Sequence, residues 1–246
     1  MTPATPLHGC FVTGTDTEVG KTRISAALLY WLAQQGWRSA GFKPVAAGTS
    51  LIDGQWVNDD VRALREASSL ALTDAEVGPL QFEAACAPHI AAALQGQTID
   101  RSAILRAAHV LAVRADMLVV EGVGGFCVPL GPDWNSADLA CNMKLPVLLV
   151  VGLRLGCINH ALLTAEAIRA RGLHLAGWVG NSITPPMPWH DENVATLQRQ
   201  FHIQNIPCLG LVPWLTQPNP ASVAAHLDAA ALRTVFTSPF SSLASS

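Results

Sequence analysis

Lys21, Thr22, Lys43, Asp60 and Glu121 each sit where an apolar run gives way to a turn or a helix start. Two ammonium groups, two carboxylates and a hydroxyl are the parts that phosphoryl transfer uses. That chemistry is mostly positioning and charge neutralisation around a triphosphate. The strongest signal is Gly14-Thr15-Asp16-Thr17-Glu18-Val19-Gly20-Lys21-Thr22, which follows the apolar run Cys10-Phe11-Val12 and precedes a helical pattern over 24–33. A strand, a glycine-bearing turn and a helix make the context of a phosphate-binding loop. Backbone N–H groups left free at a helix N-terminus converge on one point, and the helix dipole adds partial positive charge there. Gly20 lets the backbone approach phosphate with no Cβ in the way. Lys21 would reach the terminal phosphates, and the Thr22 hydroxyl would ligate Mg²⁺. The spacing departs from the usual Gly-x-x-x-x-Gly-Lys: five residues separate Gly14 from Gly20, and Thr15 stands at the usual first glycine. A capped helix start can also carry Gly-Lys-Thr, so the flanking strand and helix make the case for a nucleotide loop.

Lys43 closes a strand-like run in Gly41-Phe42-Lys43-Pro44-Val45. An unpaired ammonium in a core is expensive, and Pro44 keeps the backbone before it extended. Lys43 is therefore either a cation aimed at phosphate or a carboxylate-like group, or a lysine snorkelling from a strand end. One residue of Asn58-Asp59-Asp60 is an N-cap. A carboxylate there could also serve Mg²⁺, a hard cation that takes oxygen ligands, although spacing alone favours the cap. In Leu118-Val119-Val120-Glu121-Gly122-Val123-Gly124-Gly125 an apolar strand ends in a carboxylate and a glycine cluster. An acidic residue at the end of a strand beside a phosphate loop holds Mg²⁺, directly or through water. The other reading is a turn with a solvated Glu. Residues 152–160 lead a strand into another helix N-terminus, a further anion site. No Cys/His/Asn triad is assignable around Cys157, which reads as a small wall residue, and His160 and the other histidines read as structural. Asn181 and Val212-Pro213-Trp214-Leu215 follow apolar strands. An Asn amide can read a base edge with donor and acceptor together, but all are also ordinary loop residues.

The elements that must position these groups alternate. Short apolar strands are expected over 10–13, 39–45, 117–120, 147–151, 177–179 and 209–212. Helices are expected over 22–35, 60–67, 102–114, 159–171 and 191–201, with Gly36 and Gly172 as stops. Strands that are apolar throughout are buried on both faces. The expectation is a doubly wound α/β fold: a mostly parallel sheet with helices on both faces, P-loop NTPase-like, with ligands at the C-terminal strand ends. No internal repeat or linker divides the 246 residues, so one domain is expected, with the Ser-rich tail from Ser238 fraying.

Half of the residues are hydrophobic and 13% are charged, which supports a sizeable core. A formal charge of −3 argues against a general nucleic-acid surface. No apolar run approaches the roughly 20 residues of a membrane helix, and residues 1–9 lack the basic and apolar regions of a signal peptide. Cys10, Cys86, Cys127, Cys141, Cys157 and Cys208 are widely spaced with no C-x-x-C. That pattern fits reduced thiols in a cytoplasmic protein, most of them small core fillers.

Taken together, the motifs resemble the dethiobiotin synthetases of biotin biosynthesis. The matching pieces run in family order from about residue 8 to about residue 215. They are the loop from Phe11 to Thr22, Ala40-Gly41-Phe42-Lys43-Pro44-Val45, Pro88-His89, Val120-Glu121-Gly122-Val123-Gly124-Gly125, Leu155-Gly156-Cys157-Ile158-Asn159-His160, Gly177-Trp178-Val179 with Asn181, and Pro213-Trp214-Leu215. In this family the longer loop is a mark of membership. The resemblance implies an ATP- and Mg²⁺-dependent ring closure on 7,8-diaminononanoate and CO₂. A carbamate forms on one amine and takes the ATP γ-phosphoryl group, giving a carbamic–phosphoric anhydride. The second amine then closes the ureido ring.

By resemblance, Glu18, Val19, Gly20, Lys21 and Thr22 bind the ATP phosphates, and Arg23, Gly122 and Gly124 belong to the ATP site. Thr22, Asp60 and Glu121 form the Mg²⁺ set. Lys43 is the main catalytic cation and Lys21 its companion. Asn181 and Pro213-Trp214-Leu215 border the base. Thr17, Lys43 and Ala47 face substrate, and Gly156, Cys157 and Asn159 meet its tail carboxylate across a homodimer interface. Two departures stand out. Ala47 takes the place of a common Ser, removing a hydrogen bond of about 1 kcal/mol. The segment Thr216-Gln217-Pro218-Asn219-Pro220 aligns poorly and receives no nucleotide contact. Two other classes compete. A nucleotide-switch ATPase of the partition type usually carries an extra Lys early in the loop, and residues 14–19 contain none. A cobyrinate-type amidotransferase needs a glutaminase domain, for which 246 residues leave no room.

Overall fold

The computed structural model describes residues 6–52, 54–185 and 187–237. The tail from Ser238 lies outside the described residues. In chain order the elements are β1 (Gly9–Gly14), α1 (Lys21–Gln34), β2 (Ser39–Phe42), β3 (Val45–Ala47), β4 (Ser50–Ile52), β5 (Gln55–Val57), α2 (Asp59–Ala67), α3 (Asp74–Val77), β6 (Leu80–Phe82), α4 (Pro88–Leu94), α5 (Arg101–Arg114), β7 (Met117–Glu121), α6 (Ser136–Met143), β8 (Val147–Gly152), α7 (Cys157–Ala170), β9 (Leu175–Asn181), α8 (His190–Ile203), β10 (Cys208–Val212), α9 (Pro220–Ala224) and α10 (Ala229–Thr237).

Six strands form one sheet in the order β10-β9-β8-β1-β7-β2, and every pair in it is parallel. Successive side chains of a strand point to opposite faces, and here both faces are covered. Phe11, Leu118, Val147, Leu149 and Val151 enter one core with Ile104, Leu111, Ala161, Ile168 and Leu197 of α5, α7 and α8. Cys10, Val12, Val119, Leu148 and Val150 enter the other with Ile24, Leu28, Leu32, Leu64 and Leu232 of α1, α2 and α10. This two-sided burial is why the strands read as unbroken apolar runs, and the expected doubly wound arrangement is what forms.

The expected strand over 39–45 is cut in two. β2 ends at Phe42, and the Lys43 N–H donates to the Val77 carbonyl at 2.7 Å and not to a strand neighbour. Pro44 has no N–H with which to continue a ladder. The chain therefore leaves the main sheet, and β3 pairs with β6 in a separate two-stranded sheet. The antiparallel pair β4–β5 and the short elements α3, α4, α6, α9 and α10 were not expected from the pattern. They are too short, or too small-residued, to develop a readable period. Gly36 and Gly172 do follow helix ends, with φ of 84° and 68°. The cysteines correct another expectation, since only Cys10 and Cys157 are buried, while Cys86 and Cys127 are exposed. All six are free thiols. No helix among the described residues is long and apolar enough to cross a membrane.

Asn58 settles which residue of Asn58-Asp59-Asp60 is the cap. Its Oδ1 accepts from Val61 N–H at 3.1 Å, and its Nδ2 donates to the Gly48 carbonyl at 2.9 Å. That frees the Asp60 carboxylate from capping duty. Asn58→Ala is expected to lower unfolding free energy by about 1–2 kcal/mol, while Asp59→Ala, on an exposed side chain, stays within about 0.5 kcal/mol. Urea denaturation of the two variants separates these outcomes.

Candidate active site

The phosphate loop runs from Thr15 to Gly20 at the C-terminal end of β1, the central position of the sheet topology. Its first residue is tied to the neighbouring strand, with Thr15 N–H donating to the Val150 carbonyl at 3.0 Å. Glu18 and Gly20 adopt positive φ, 59° and 88°. A Cβ on Gly20 would lie 2.2 Å from Asn181 Nδ2, so the position is closed to side chains twice over. No side chain caps α1. Its first backbone bond runs from Ile24 N–H to the Gly20 carbonyl at 3.1 Å. The N–H groups of Lys21, Thr22 and Arg23 thus have no intrahelical acceptor, which is the arrangement an anion needs.

The sheet register assembles the rest. β7 lies between β1 and β2, with Val12 beside Glu121 and Phe42 beside Val120. Glu121 therefore stands between the phosphate loop and Lys43. Lys43 Nζ contacts Glu121 Oε1 at 2.6 Å and Asp60 Oδ2 at 2.9 Å, and also donates to the Gly122 carbonyl at 3.2 Å. Lys43 is 3% exposed and Glu121 0%. Burial alone would push the Lys43 ammonium down, but the carboxylates of Glu121 and Asp60 outweigh it and hold the proton on. Asp60 is likewise raised by burial, and Lys43 and the Thr22 hydroxyl bring it below the usual carboxylate range. Lys21 has no such carboxylate contact. Its Nζ donates to the Asp16 carbonyl at 2.9 Å. Burial first and the Lys43 charge second push its pKa down to about 8, against the pull of Glu121, Asp60 and Asp16.

The Mg²⁺ expectation can be tested on the donor set. Thr22 Oγ1 lies 2.7 Å from Asp60 Oδ1 and 2.8 Å from Glu121 Oε1. A hydroxyl has one hydrogen to give, so one of these two close oxygen pairs is left without a proton between its members. Glu121 Oε2 is buried with no hydrogen-bond partner. Converging oxygens with an orphaned carboxylate oxygen suit a hard divalent cation. Among the described residues no group of three His, Cys, Asp or Glu could hold a metal. Any ion here would rest on two carboxylates and a hydroxyl.

A cavity of about 840 Å³ gathers Thr17, Glu18, Gly20, Lys21, Thr22 and Arg23 with Lys43, Ala47, Asp60, Glu121 and Gly124. Its far wall is Ala85, Cys86, Ala87 and Pro88 with Val123 and Val128; sequence reasoning named Pro88 and Val123 only inside motifs, with no role, and missed the others. These side chains carry no chemical signature. Other expected residues lie elsewhere. Val19 is buried beneath the loop, and Gly122 contributes its carbonyl to Lys43. Asn181, fully buried, does not line the cavity; its Nδ2 donates to the Val19 carbonyl at 2.9 Å and its Oδ1 is unpartnered. Pro213, Trp214 and Leu215 follow β10 outside this wall. Gly156, Cys157 and Asn159 begin α7 and also fall outside it. A second cavity of about 420 Å³ shares Thr22 and Arg23 with the first and is closed by Pro218, Asn219 and Pro220. The segment to which sequence reasoning gave no contact is thus at the phosphate helix.

Gly20→Ala is expected to cost about 1–3 kcal/mol, because it meets both a left-handed backbone and Asn181; chemical denaturation measures it. Lys21 gives a pH signature. Its folded pKa of about 8 lies below its ordinary 10.5. The unfolded chain therefore binds more protons between these values, and stability rises with pH across that window. Below pH 8 the full cost of the buried charge is present. Without nucleotide or Mg²⁺, wild type should gain stability relative to Lys21→Met between pH 8 and 10, and parallel urea curves at pH 7.5 and 9.5 check this.

The protein family described as AAA domain matches residues 8–222. A protein of Janthinobacterium sp. (strain Marseille) named ATP-dependent dethiobiotin synthetase BioD is 50% identical over 228 residues, covering 91% of this chain and 95% of the relative. The protein of that name from Ralstonia nicotianae is 51% identical over 223 residues, covering 91% and 96%. Among solved structures, the MinC:MinD cell division protein complex of Aquifex aeolicus aligns with a TM-score of 0.50 at 13% identity. It covers 85% of this chain and 82% of that one, which speaks to shared fold alone. With half of its residues identical across nearly the full length of these relatives, on a phosphate-loop fold, the chain belongs to the dethiobiotin synthetase family.

Proposed function

We propose that this chain is an ATP-dependent dethiobiotin synthetase that closes the ureido ring on 7,8-diaminononanoate and CO₂. One observation carries the reading beyond nucleotide binding: a second buried lysine, Lys43, shares the phosphate-loop cavity with the Thr22, Asp60 and Glu121 oxygens. Binding a triphosphate needs the loop and Lys21. A fully buried, protonated Lys43 beside them offers charge for a second anion, which the carbamate would be.

In this reading the free N–H groups of α1 and the Lys21 ammonium hold the phosphate chain. Thr22, Asp60 and Glu121 would hold Mg²⁺, which would supply neutralising charge for the triphosphate. Lys43 orients the carbamate oxygen toward the γ-phosphorus and offsets the charge that both anions bring. The carbamate oxygen forms the new P–O bond as ADP leaves. The second amine then attacks the carbamoyl carbon, phosphate departs, and the amine gives up a proton as the ring closes. The apolar wall of Ala47, Ala85, Ala87, Pro88, Val123 and Val128 would face the diamine chain and the anhydride. Ala47 offers a methyl group where a hydroxyl would donate, so the diamine rests on Thr17 and Lys43. The second cavity, beside Arg23, would take the nucleoside end.

A homodimer belongs to the same proposal. Gly156, Cys157 and Asn159 lie off the chain's own cavity, and the adjoining Leu155 and Leu163 are exposed apolar side chains. A second copy across this helix end would cover them and bring the α7 N-terminus to a substrate tail. Sedimentation velocity should report a dimer. A cytoplasmic location is expected alongside it, and cell fractionation reads it out.

Purified protein given ATP, Mg²⁺, bicarbonate and 7,8-diaminononanoate should form dethiobiotin with ADP and phosphate. ATP turnover indifferent to the diamine would favour a nucleotide switch instead. Lys43→Ala should lower kcat by at least about 100-fold, the scale of removing a preorganised charge donor, with an unchanged circular dichroism spectrum. Near-normal turnover would refute its role. Glu121→Gln should move the Mg²⁺ midpoint upward by about tenfold or more, and an unchanged titration would count against it as a ligand.

A further inference from the structure

The phosphate loop is one residue longer than the usual spacing, and a longer loop has more conformations to suppress. The structure suppresses them by tying the loop to the ends of β8 and β9. Thr15 N–H donates to Val150, and Val19 accepts from Asn181. Val19 packs so closely on Gly152 that a Cβ there would lie 2.9 Å from Val19 Cγ1. Between these ties stands Asp16, whose three acceptors are all engaged. Oδ1 accepts from Thr17 N–H at 2.8 Å, the main-chain carbonyl accepts from Lys21 Nζ at 2.9 Å, and Oδ2 pairs with Arg154 Nη2. Arg154 lies in the turn between β8 and α7, and its own carbonyl accepts from Cys157 N–H at 3.0 Å, the first residue of α7.

We propose that Arg154 is a positioning residue for phosphoryl transfer. Through Asp16, which accepts from both Thr17 N–H and Lys21 Nζ, it holds the extra stretch of the phosphate loop in the one conformation that places the Lys21 ammonium for the triphosphate. This rests on the proposed reaction and adds a residue that touches neither nucleotide nor substrate. The Asp16 and Arg154 side chains are 45% and 46% exposed. A solvated pair of this kind contributes little to global stability, so losing it should be felt in the site and not in the fold. The same turn begins α7, so the clamp also joins the phosphate loop to the helix end bearing Gly156, Cys157 and Asn159.

The test compares Arg154→Met, Arg154→Lys, Asp16→Asn and the double variant Asp16→Asn/Arg154→Met. Asp16→Asn keeps an oxygen for Thr17 N–H and puts an NH₂ donor where Oδ2 met Arg154, removing both the charge and the acceptor of that contact. Arg154→Met should lower kcat/KM for ATP by about 10- to 100-fold, the size of a small misplacement of catalytic groups. Its melting temperature should stay within about 2 °C of wild type. Arg154→Lys should recover most of that loss. Asp16→Asn should match Arg154→Met, and the double variant should be no worse than either, as expected for residues acting through one contact. Losses that multiply, no advantage of Lys over Met, activity within about twofold of wild type, or a fall in melting temperature beyond about 5 °C would each overturn the proposal. Calorimetric affinity for ADP, measured on the same proteins, is expected to weaken in parallel. If wild type itself makes no dethiobiotin, the proposed reaction fails, while the ADP affinities still decide the role of the clamp.

Discussion

The site depends on one charge arrangement: the buried Lys43 ammonium between the buried carboxylate of Glu121 and the partly exposed carboxylate of Asp60, at the C-terminal edge of a sheet covered on both faces. Taking charges out of water is expensive, so a buried ion cluster contributes little net stability even where its attractions keep the cation protonated, as they do for Lys43. Such a cluster is poor value as a stabiliser, since well-packed apolar side chains would do as well. Its worth is chemical. The cluster fixes a buried cation, a buried carboxylate and a partly exposed carboxylate in register, so that in the proposed reaction an incoming anion or metal would meet charges that need little reorganisation.

Everything around the cluster serves its placement. β7 is inserted between β1 and β2, which sets Glu121 level with both the phosphate loop and the exit of β2. Pro44 forces the chain out of the sheet one residue later, and Lys43 is left with its side chain turned toward Glu121. Asn58 takes over the capping of α2, so that Asp60 in the first helical turn is free for Thr22 and Lys43. Each is a local rule of backbone chemistry, and their sum is a converging site.

The phosphate loop shows the opposite economy, being held by many weak ties. Gly20 and Glu18 accept left-handed backbone, Asn181 and Val150 bind its carbonyl and amide groups, and Asp16 anchors its middle. The two lysines consequently differ in kind. Lys43 is held charged by carboxylates, whereas Lys21 rests on a carbonyl with its proton weakly held. A triphosphate would return to Lys21 the counter-charge it lacks.

Local chemistry written in consecutive residues was legible in the chain itself. The loop Gly14 to Thr22, the carboxylate closing an apolar strand at Glu121, the unusual Lys43-Pro44 pair and the double-faced strands each declare themselves within a few positions, because turn geometry, desolvation cost and burial act over that range. What only the tertiary structure decided was adjacency. Asp60 and Glu121 lie far apart in the chain; family resemblance grouped them with Thr22, but nothing in their spacing does, and only the fold shows one hydroxyl meeting both. The Asn181 amide on the Val19 carbonyl, Arg154 on Asp16, and the small side chains of the far cavity wall were equally silent. Strand order sets those meetings, and strand order is fixed by the packing of whole layers, a property that no short window of sequence contains.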